Sequence, residues 1–61
     1  MTTVQDILRN NLRCKTVCLV DEEGNLLDRA AGKTVISPAW HSAPVENIYV
    51  GGDTLIIVTS L

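Results

Sequence analysis

The sequence predicts a small α+β domain, with an N-terminal helix packed on an antiparallel sheet of about four strands. The sheet is expected to consist of two hairpins with a short helical turn between them. Three observations predict this fold. Apolar residues follow a helical period up to residue 12, a period of two begins at residue 16, and turn residues divide the remainder into strand-length segments. With 61 residues and no repeat or linker, we expect one domain over residues 1–61.

The first segment has the pattern of an amphipathic helix over residues 3–12. Its apolar residues recur at i, i+3, i+4 and i+8, and they are Val4, Ile7, Leu8 and Leu12. Thr2 or Thr3 can cap this helix, with Gln5 or Asp6 three residues later as the partner in a capping box. We therefore expect this apolar stripe to pack on the sheet.

The first hairpin is predicted from two strand-like segments separated by an acidic turn. Residues 16–20 are rich in β-branched side chains, Gly24 can supply a positive φ in the turn, and residues 26–30 form the returning strand. Ser37-Pro38 then has the pattern of a serine cap followed by proline at the first helical position. A single helical turn is expected over residues 38–42.

The second hairpin is predicted over residues 45–50 and 54–59, joined at Gly51-Gly52. A turn closed on the two glycines pairs Ile48 with Leu55. One face of the hairpin then carries Ile48, Val50, Leu55 and Ile57, and the other carries Val45, Tyr49, Ile56 and Val58. Because both faces are apolar, the pattern is typical of strands covered on two sides.

The last strand raises the question of what covers its second face. Residues 55–58 are apolar on both faces, and residues 54–61 contain no lysine or proline, which natural edge strands use against unwanted pairing. The strand can lie in the centre of the sheet, covered by the middle segment and Trp40. We favour the other reading, in which it is an edge strand and a second copy of the chain covers it.

Charge and length exclude several classes of protein. The formal net charge is −2 and the sequence pI is about 5.0, which argues against binding nucleic acid through its phosphates. No apolar run approaches the roughly 20 residues that a transmembrane helix needs. Met1-Thr2-Thr3 lacks the basic start and apolar stretch of a secretory signal. We therefore expect a cytoplasmic protein with neither membrane nor nucleic acid as a partner.

Cys14, Cys18 and His41 are the only residues in the sequence that would suit a zinc site. Zinc normally takes four such ligands, so a single chain could complete the site only with a carboxylate, although two chains could share one site. A Cys–His–Asp arrangement can also be drawn with Asp28 or Asp53, but the chain has no nucleophile elbow and little room for a substrate pocket. We predict no enzyme activity and no cofactor, and a small ligand- or metal-binding regulator stays as the alternative function.

Aromatic residues are scarce, since Trp40 and Tyr49 are the only two. Trp40 is either a core residue on the short helical turn or an anchor in an interface, because tryptophan and tyrosine dominate binding hot spots. The candidate interface residues are Trp40, Tyr49, Ile56 and Val58. The sequence therefore predicts a non-catalytic interaction module, which acts as a homodimer or as a modulator of a larger protein.

The element order also resembles a group of small uncharacterised bacterial proteins that are often associated with phages and other mobile elements. The matching segments are VQDIL at residues 4–8, TVCLVD at 16–21, VENIYV at 45–50 and DTLIIV at 53–58. The segment from Gly32 to Pro44 departs from the pattern of that group. The resemblance implies the fold and a phage or mobile-element origin, and it implies no activity.

Overall fold

The computed structural model describes residues 2–10 and 14–60. This part of the chain forms one helix, one 3₁₀ turn and four strands. They are helix α1 (Val4–Asn10), strand β1 (Thr16–Val20), strand β2 (Leu26–Ala31), the 3₁₀ turn (Pro38–Trp40), strand β3 (Val45–Gly51) and strand β4 (Thr54–Thr59). The α+β class is confirmed. The last predicted residues of the helix, including Leu12, lie outside the described residues.

The four strands form one mixed sheet in the order β2-β1-β4-β3. The pairs β1–β2 and β3–β4 are antiparallel, so the two hairpins are matched in part, but β1 and β4 are parallel, with Val17 opposite Leu55. The prediction of a wholly antiparallel sheet is therefore wrong. The segment after β2 crosses to the far edge of the sheet before β3 begins, and β4 then returns between β3 and β1.

This order corrects the prediction that the last strand is an edge strand. β4 lies in the centre of the sheet, with β1 on one side and β3 on the other. The physical reason is that a strand with apolar side chains on both faces is buried best in the centre of a sheet, where both of its backbone edges are paired. A second chain is consequently not needed to complete the hydrogen bonds of β4.

The turn of the second hairpin lies one residue later than predicted. Gly51 remains in β3 opposite Thr54, and Gly52 and Asp53 form the turn. Gly52 has φ of 60°, which explains why the glycine is needed there, since side-chain-bearing residues rarely adopt such an angle. Ile48 consequently lies opposite Ile57 rather than Leu55.

The shift in register leaves most side chains on the predicted face, because it moves the pairing by an even number of residues. Val45 is the exception. A β-bulge between Val45 and Asn47 places Val45 opposite Thr59, and Val45 packs against the core. The prediction that Val45 shares a face with Tyr49, Ile56 and Val58 is therefore wrong, because a bulge inserts an extra residue and reverses the alternation.

The hydrophobic core lies on one side of the sheet, between the strands, α1 and the segment that follows β2. Along β1 and β4 every second residue is buried. The buried apolar side chains are Val4, Val17, Leu19, Ile36, Ala43, Leu55 and Ile57. Trp40 is half-buried and packs against this cluster. We call this side of the sheet the helix face.

Helix α1 begins with the predicted capping box. The backbone N–H of Thr3 donates to Asp6 Oδ2 at 3.0 Å, and the N–H of Asp6 donates to Thr3 Oγ1 at 3.4 Å. The next two N–H groups, of Val4 and Gln5, donate to the carbonyls of Ala43 and His41, each at 3.0 Å. These bonds satisfy donors that have no partner within a helix, and they fasten α1 to the segment before β3.

The short helical turn is confirmed over Pro38–Trp40. Ser37 is its cap, with Oγ accepting from the N–H of Ala39 at 3.4 Å. The N–H of Ser37 itself donates to Asp28 Oδ2 at 2.8 Å. A carboxylate on β2 therefore positions the turn, which explains how a segment of irregular backbone is held over the sheet.

The acidic loop between β1 and β2 is organised by one carboxylate. Asp21 Oδ1 accepts from the N–H groups of Glu23 at 2.9 Å and Asn25 at 2.8 Å, and Asp21 Oδ2 accepts from Asn25 Nδ2 at 3.1 Å. Gly24, with φ of 88°, allows the chain to reverse between them. The pKa of Asp21 is held below its ordinary value of 3.8, chiefly by the hydrogen bond from the backbone N–H of Asn25 and next by the one from the Asn25 side chain.

We expect Asp21→Asn to change the pH dependence of stability. The folded-state pKa of Asp21 is lowered, so its contribution is present above pH 3.8 and is lost as the pH falls through the folded pKa. The variant should therefore unfold at lower urea than the parent at pH 5, and the difference should shrink at pH 2. Urea midpoints at the two pH values measure it. An equal difference at both would contradict the role of the charged form.

Candidate binding surface on the open sheet face

The side of the sheet opposite the helix face keeps its side chains accessible, and we call it the open face. Its alternating positions on β1 and β4 are half-buried, whereas their neighbours on the helix face are buried. The strand register places seven apolar side chains on this face, namely Cys18, Val20, Leu26, Ala31, Tyr49, Ile56 and Val58. No helix or strand within residues 2–10 and 14–60 contributes a second layer here.

The open face has an apolar centre and a polar margin. Cys18 and Val20 on β1 lie beside Ile56 and Val58 on β4, in the two central strands. The margin is formed by the polar side chains that the register places on the same face, which are Thr16, Arg29, Asn47 and Thr54. An apolar centre surrounded by polar residues is the usual organisation of a protein–protein interface.

Larger apolar side chains stand at the two edges of the open face. Tyr49 on β3 is 54% exposed and Leu26 on β2 is 59% exposed. The hydroxyl of Tyr49 accepts a hydrogen bond from Asn47 Nδ2 at 2.9 Å, which fixes the ring against the outer strand. The face therefore presents at one edge an aromatic side chain that is hydrogen-bonded to its own strand.

Three of the four predicted interface residues lie together on the open face. They are Tyr49, Ile56 and Val58. Trp40 is on the other side of the molecule, packed against the core, so it does not belong to this surface. Sequence reasoning missed Cys18 and Val20, whose place beside β4 follows from the parallel pairing. The signal was the β1 sequence TVCLV, which is apolar on both faces.

The residues proposed for a metal site are separated by the sheet. Cys18 is on the open face, Cys14 packs against the core on the helix face, and His41 Nε2 lies 3.3 Å from the carbonyl oxygen of Ile36. Within the described ranges, no three His, Cys, Asp or Glu side chains are grouped as metal ligands. One chain therefore does not bring Cys14, Cys18 and His41 together as the alternative function requires.

The carboxylates considered for catalysis have structural positions. Asp28 accepts from the backbone N–H groups of Ser37 and Arg29, both at 2.8 Å, and Asp53 is in the turn between β3 and β4. His41, on the helix face, is bonded to a backbone carbonyl. The geometry consequently gives no support to a Cys–His–Asp arrangement.

A cavity of about 380 Å³ lies on the helix face beside the 3₁₀ turn. Its lining comes from α1, β2 and the segment that joins β2 to the turn, and includes Leu8, Ala30, Val35, Ile36 and His41. The surface is almost wholly apolar, so it offers little to orient a polar substrate.

Both edge strands have backbone donors that are satisfied by nearby side chains. On β2 the N–H of Arg29 donates to Asp28 Oδ1 at 2.8 Å, and the N–H of Ala31 donates to Thr34 Oγ1 at 2.8 Å. On β3 the N–H of Ile48 donates to Asn47 Oδ1 at 2.9 Å. Because these donors are already bonded, the edges are poor templates for another strand. The open face is the better surface for association.

Fold and surface together define the class of this protein: a small α+β domain whose sheet has one covered and one open face. Comparisons with protein families, curated proteins and solved structures gave no match for this chain. Among residues 2–10 and 14–60, no helix is long and apolar enough to cross a membrane.

Proposed function

We propose that this protein is a non-catalytic interaction module that forms a homodimer through its open face. The observation that carries the proposal is the cluster of apolar side chains at the centre of that face, formed by Cys18, Val20, Ile56 and Val58. Sheets with such a face usually pack against a second layer, about 10 Å away. A second copy of the chain supplies that layer.

The open face is suited to a symmetric dimer. The midline of the sheet runs between β1 and β4, and a two-fold axis along it lays β2 of one copy over β3 of the other. Arg29, a charged side chain of this face, then lies over the edge that carries Tyr49 rather than over a second arginine. An arginine above a tyrosine ring is a favourable contact. The arrangement also keeps the two Arg29 side chains of the dimer apart.

The size of the face indicates a dimer of modest affinity. Four strands about 4.8 Å apart, of five to seven residues at about 3.3 Å per residue, form a face of roughly 19 Å by 20 Å. Such a face falls at the small end of specific interfaces. We therefore expect a dimer that dissociates on dilution, and for so small a domain the additional core still raises stability.

Ile56→Lys tests the proposal. Ile56 lies at the centre of the open face on β4, so a buried, unpaired ammonium at the interface should prevent association. Sedimentation equilibrium is expected to show a concentration-dependent dimer for the parent and a folded monomer for the variant, with folding checked by circular dichroism. The dimer should persist in the presence of a chelator.

Thr54→Lys is the matched control for this experiment. Thr54 is on the same strand and the same face, but at its margin, so its replacement should leave the dimer largely intact. A parent that sediments as a monomer at millimolar concentration would contradict the homodimer. A dimer that persists in Ile56→Lys would contradict the assigned surface, and loss of the dimer in both variants would contradict the marginal position of Thr54 in it.

The cytoplasmic location and the phage or mobile-element origin are also proposed. The resemblance described above supports the origin, and the weakly acidic charge supports a protein rather than a nucleic acid as the partner. Genomic neighbourhood tests the origin, because a gene among phage genes is expected and a gene in a conserved housekeeping operon is not.

A further inference from the structure

The outer edge of β3 combines exposed apolar side chains with a local hydrogen-bond cap. Ile48, Tyr49 and Val50 are 38%, 54% and 66% exposed, although they are consecutive residues of one strand. Ile48 and Val50 are on the helix face and Tyr49 is on the open face, so this strand is incompletely covered on both sides. Without the bond that occupies the N–H of Ile48, an exposed apolar edge of this kind would favour the addition of another strand.

Asn47 occupies the backbone position that such a strand would need. Its Oδ1 accepts from the N–H of Ile48 at 2.9 Å, and its Nδ2 donates to the hydroxyl of Tyr49 at 2.9 Å. The side chain is therefore held at both ends, along the edge of β3. An incoming strand can bond to the N–H of Ile48 only after Asn47 has moved away.

The hairpin geometry identifies which backbone groups face outwards. Gly51 and Thr54 flank a two-residue turn and pair directly, so in an antiparallel ladder the hydrogen-bonded positions of β3 alternate from Gly51. The backbone groups of Val50 and Ile48 consequently point away from β4. The cap on Ile48 thus lies in the middle of the free edge.

We infer that Asn47 closes the β3 edge, and that without this cap β3 pairs antiparallel with β3 of a second copy. In the symmetric register centred on Tyr49, the outward backbone groups of Ile48 meet those of Val50 in the other chain. The two tyrosines then lie opposite each other, and Asn47 lies opposite Gly51. Aromatic and β-branched cross-strand pairs are favourable, and no two charged residues are opposed.

This inference is independent of the proposed dimer, because it concerns the edge of the sheet rather than its face. Pairing of the two β3 strands would extend the sheet from four to eight strands. Asn47 thereby determines which surface associates: the edge is closed while the open face stays accessible.

Asn47→Ala is the test. Removing the amide leaves the N–H of Ile48 free, and we expect self-association at least about tenfold tighter than in the parent, since roughly 1.4 kcal/mol corresponds to tenfold. Sedimentation measured in an Ile56→Lys background, in which the open face is blocked, reports the edge alone. The double variant is expected to dimerise where Ile56→Lys by itself is monomeric.

Three further variants separate the cap from other effects. Asn47→Asp retains an acceptor for the N–H of Ile48 and should stay closed, and Glu46→Ala changes an exposed neighbour and should have no effect. Adding Val50→Lys to Asn47→Ala should abolish the new association, because a lysine on the free edge opposes strand pairing.

The oligomeric states distinguish the two proposals. If the Asn47→Ala, Ile56→Lys double variant is folded and monomeric at the highest concentration, the inference about the edge is wrong and the face dimer is unaffected. If Glu46→Ala associates as strongly as Asn47→Ala, the cap is not the cause and the inference also fails. A monomeric parent would contradict the face dimer alone.

Discussion

Ile57→Ala is expected to lower the free energy of unfolding by roughly 2–5 kcal/mol. Ile57 is fully buried on β4, opposite Leu19 in β1 and Ile48 in β3. Its removal leaves a cavity between the strands and the elements on the helix face. A domain of this size has a total stability of about 3–9 kcal/mol, so the variant should lose a large part of it. Urea unfolding followed by circular dichroism measures the loss.

Ile56→Ala is the matched control for that prediction. The two isoleucines are adjacent in β4, but Ile56 is half-buried on the open face. Measured at a concentration where the parent is monomeric, its truncation should cost clearly less, because the side chain is still partly in contact with water before the change. Equal losses from the two variants would contradict the assignment of the helix face as the hydrophobic core.

Thr59→Val is expected to destabilise the protein by about 1–3 kcal/mol, although the two side chains have nearly the same shape. Thr59 is a fully buried polar residue, and its Oγ1 donates to the carbonyl of Pro44 at 2.6 Å. Valine has no hydroxyl group, so the carbonyl oxygen of Pro44 loses this hydrogen bond. The cost arises from that unsatisfied acceptor rather than from lost packing.

The loss of the Thr59 hydrogen bond should also weaken neighbouring hydrogen bonds between the segment before β3 and the start of α1. Pro44 lies beside Ala43, whose carbonyl accepts from the N–H of Val4 at the start of α1, and Val45 donates to the carbonyl of Thr2. Hydrogen exchange at Val4 should therefore accelerate in Thr59→Val. Thr54→Val, at the opposite end of the same strand, should be close to neutral. A neutral Thr59→Val would contradict the importance of this bond.

The candidate surface could be predicted only in part. Tyr49, Ile56 and Val58 were predicted to share a face because their spacing along β3 and β4 follows the period of two. Trp40 was included because aromatic residues are common in interfaces, but its side chain packs on the core. Cys18 and Val20 join the surface through the parallel pairing of β1 with β4, which no local pattern specifies.

The cap formed by Asn47 also could not be predicted from the sequence. Asparagine in a strand gives no clear signal in the sequence, since its propensity for strands is low. Its function as a cap depends on which backbone edge of β3 is left free, and that follows from the position of β3 at the margin of the sheet.

Short segments of the sequence are enough to specify the local structure of this protein: the capped helix start at Thr3 and Asp6, the 3₁₀ turn after Ser37, and the approximate bounds of the strands. These features depend on residues within a few positions of one another, so their physical causes are present in short segments. The three-dimensional fold is needed to show that β4 is central, that β1 and β4 are parallel, and that a bulge turns Val45 inwards. A strand that is apolar on both faces is compatible with a central position and with an edge covered by a second chain. The choice depends on which pairing buries the most surface across the whole chain, a comparison that no single segment contains.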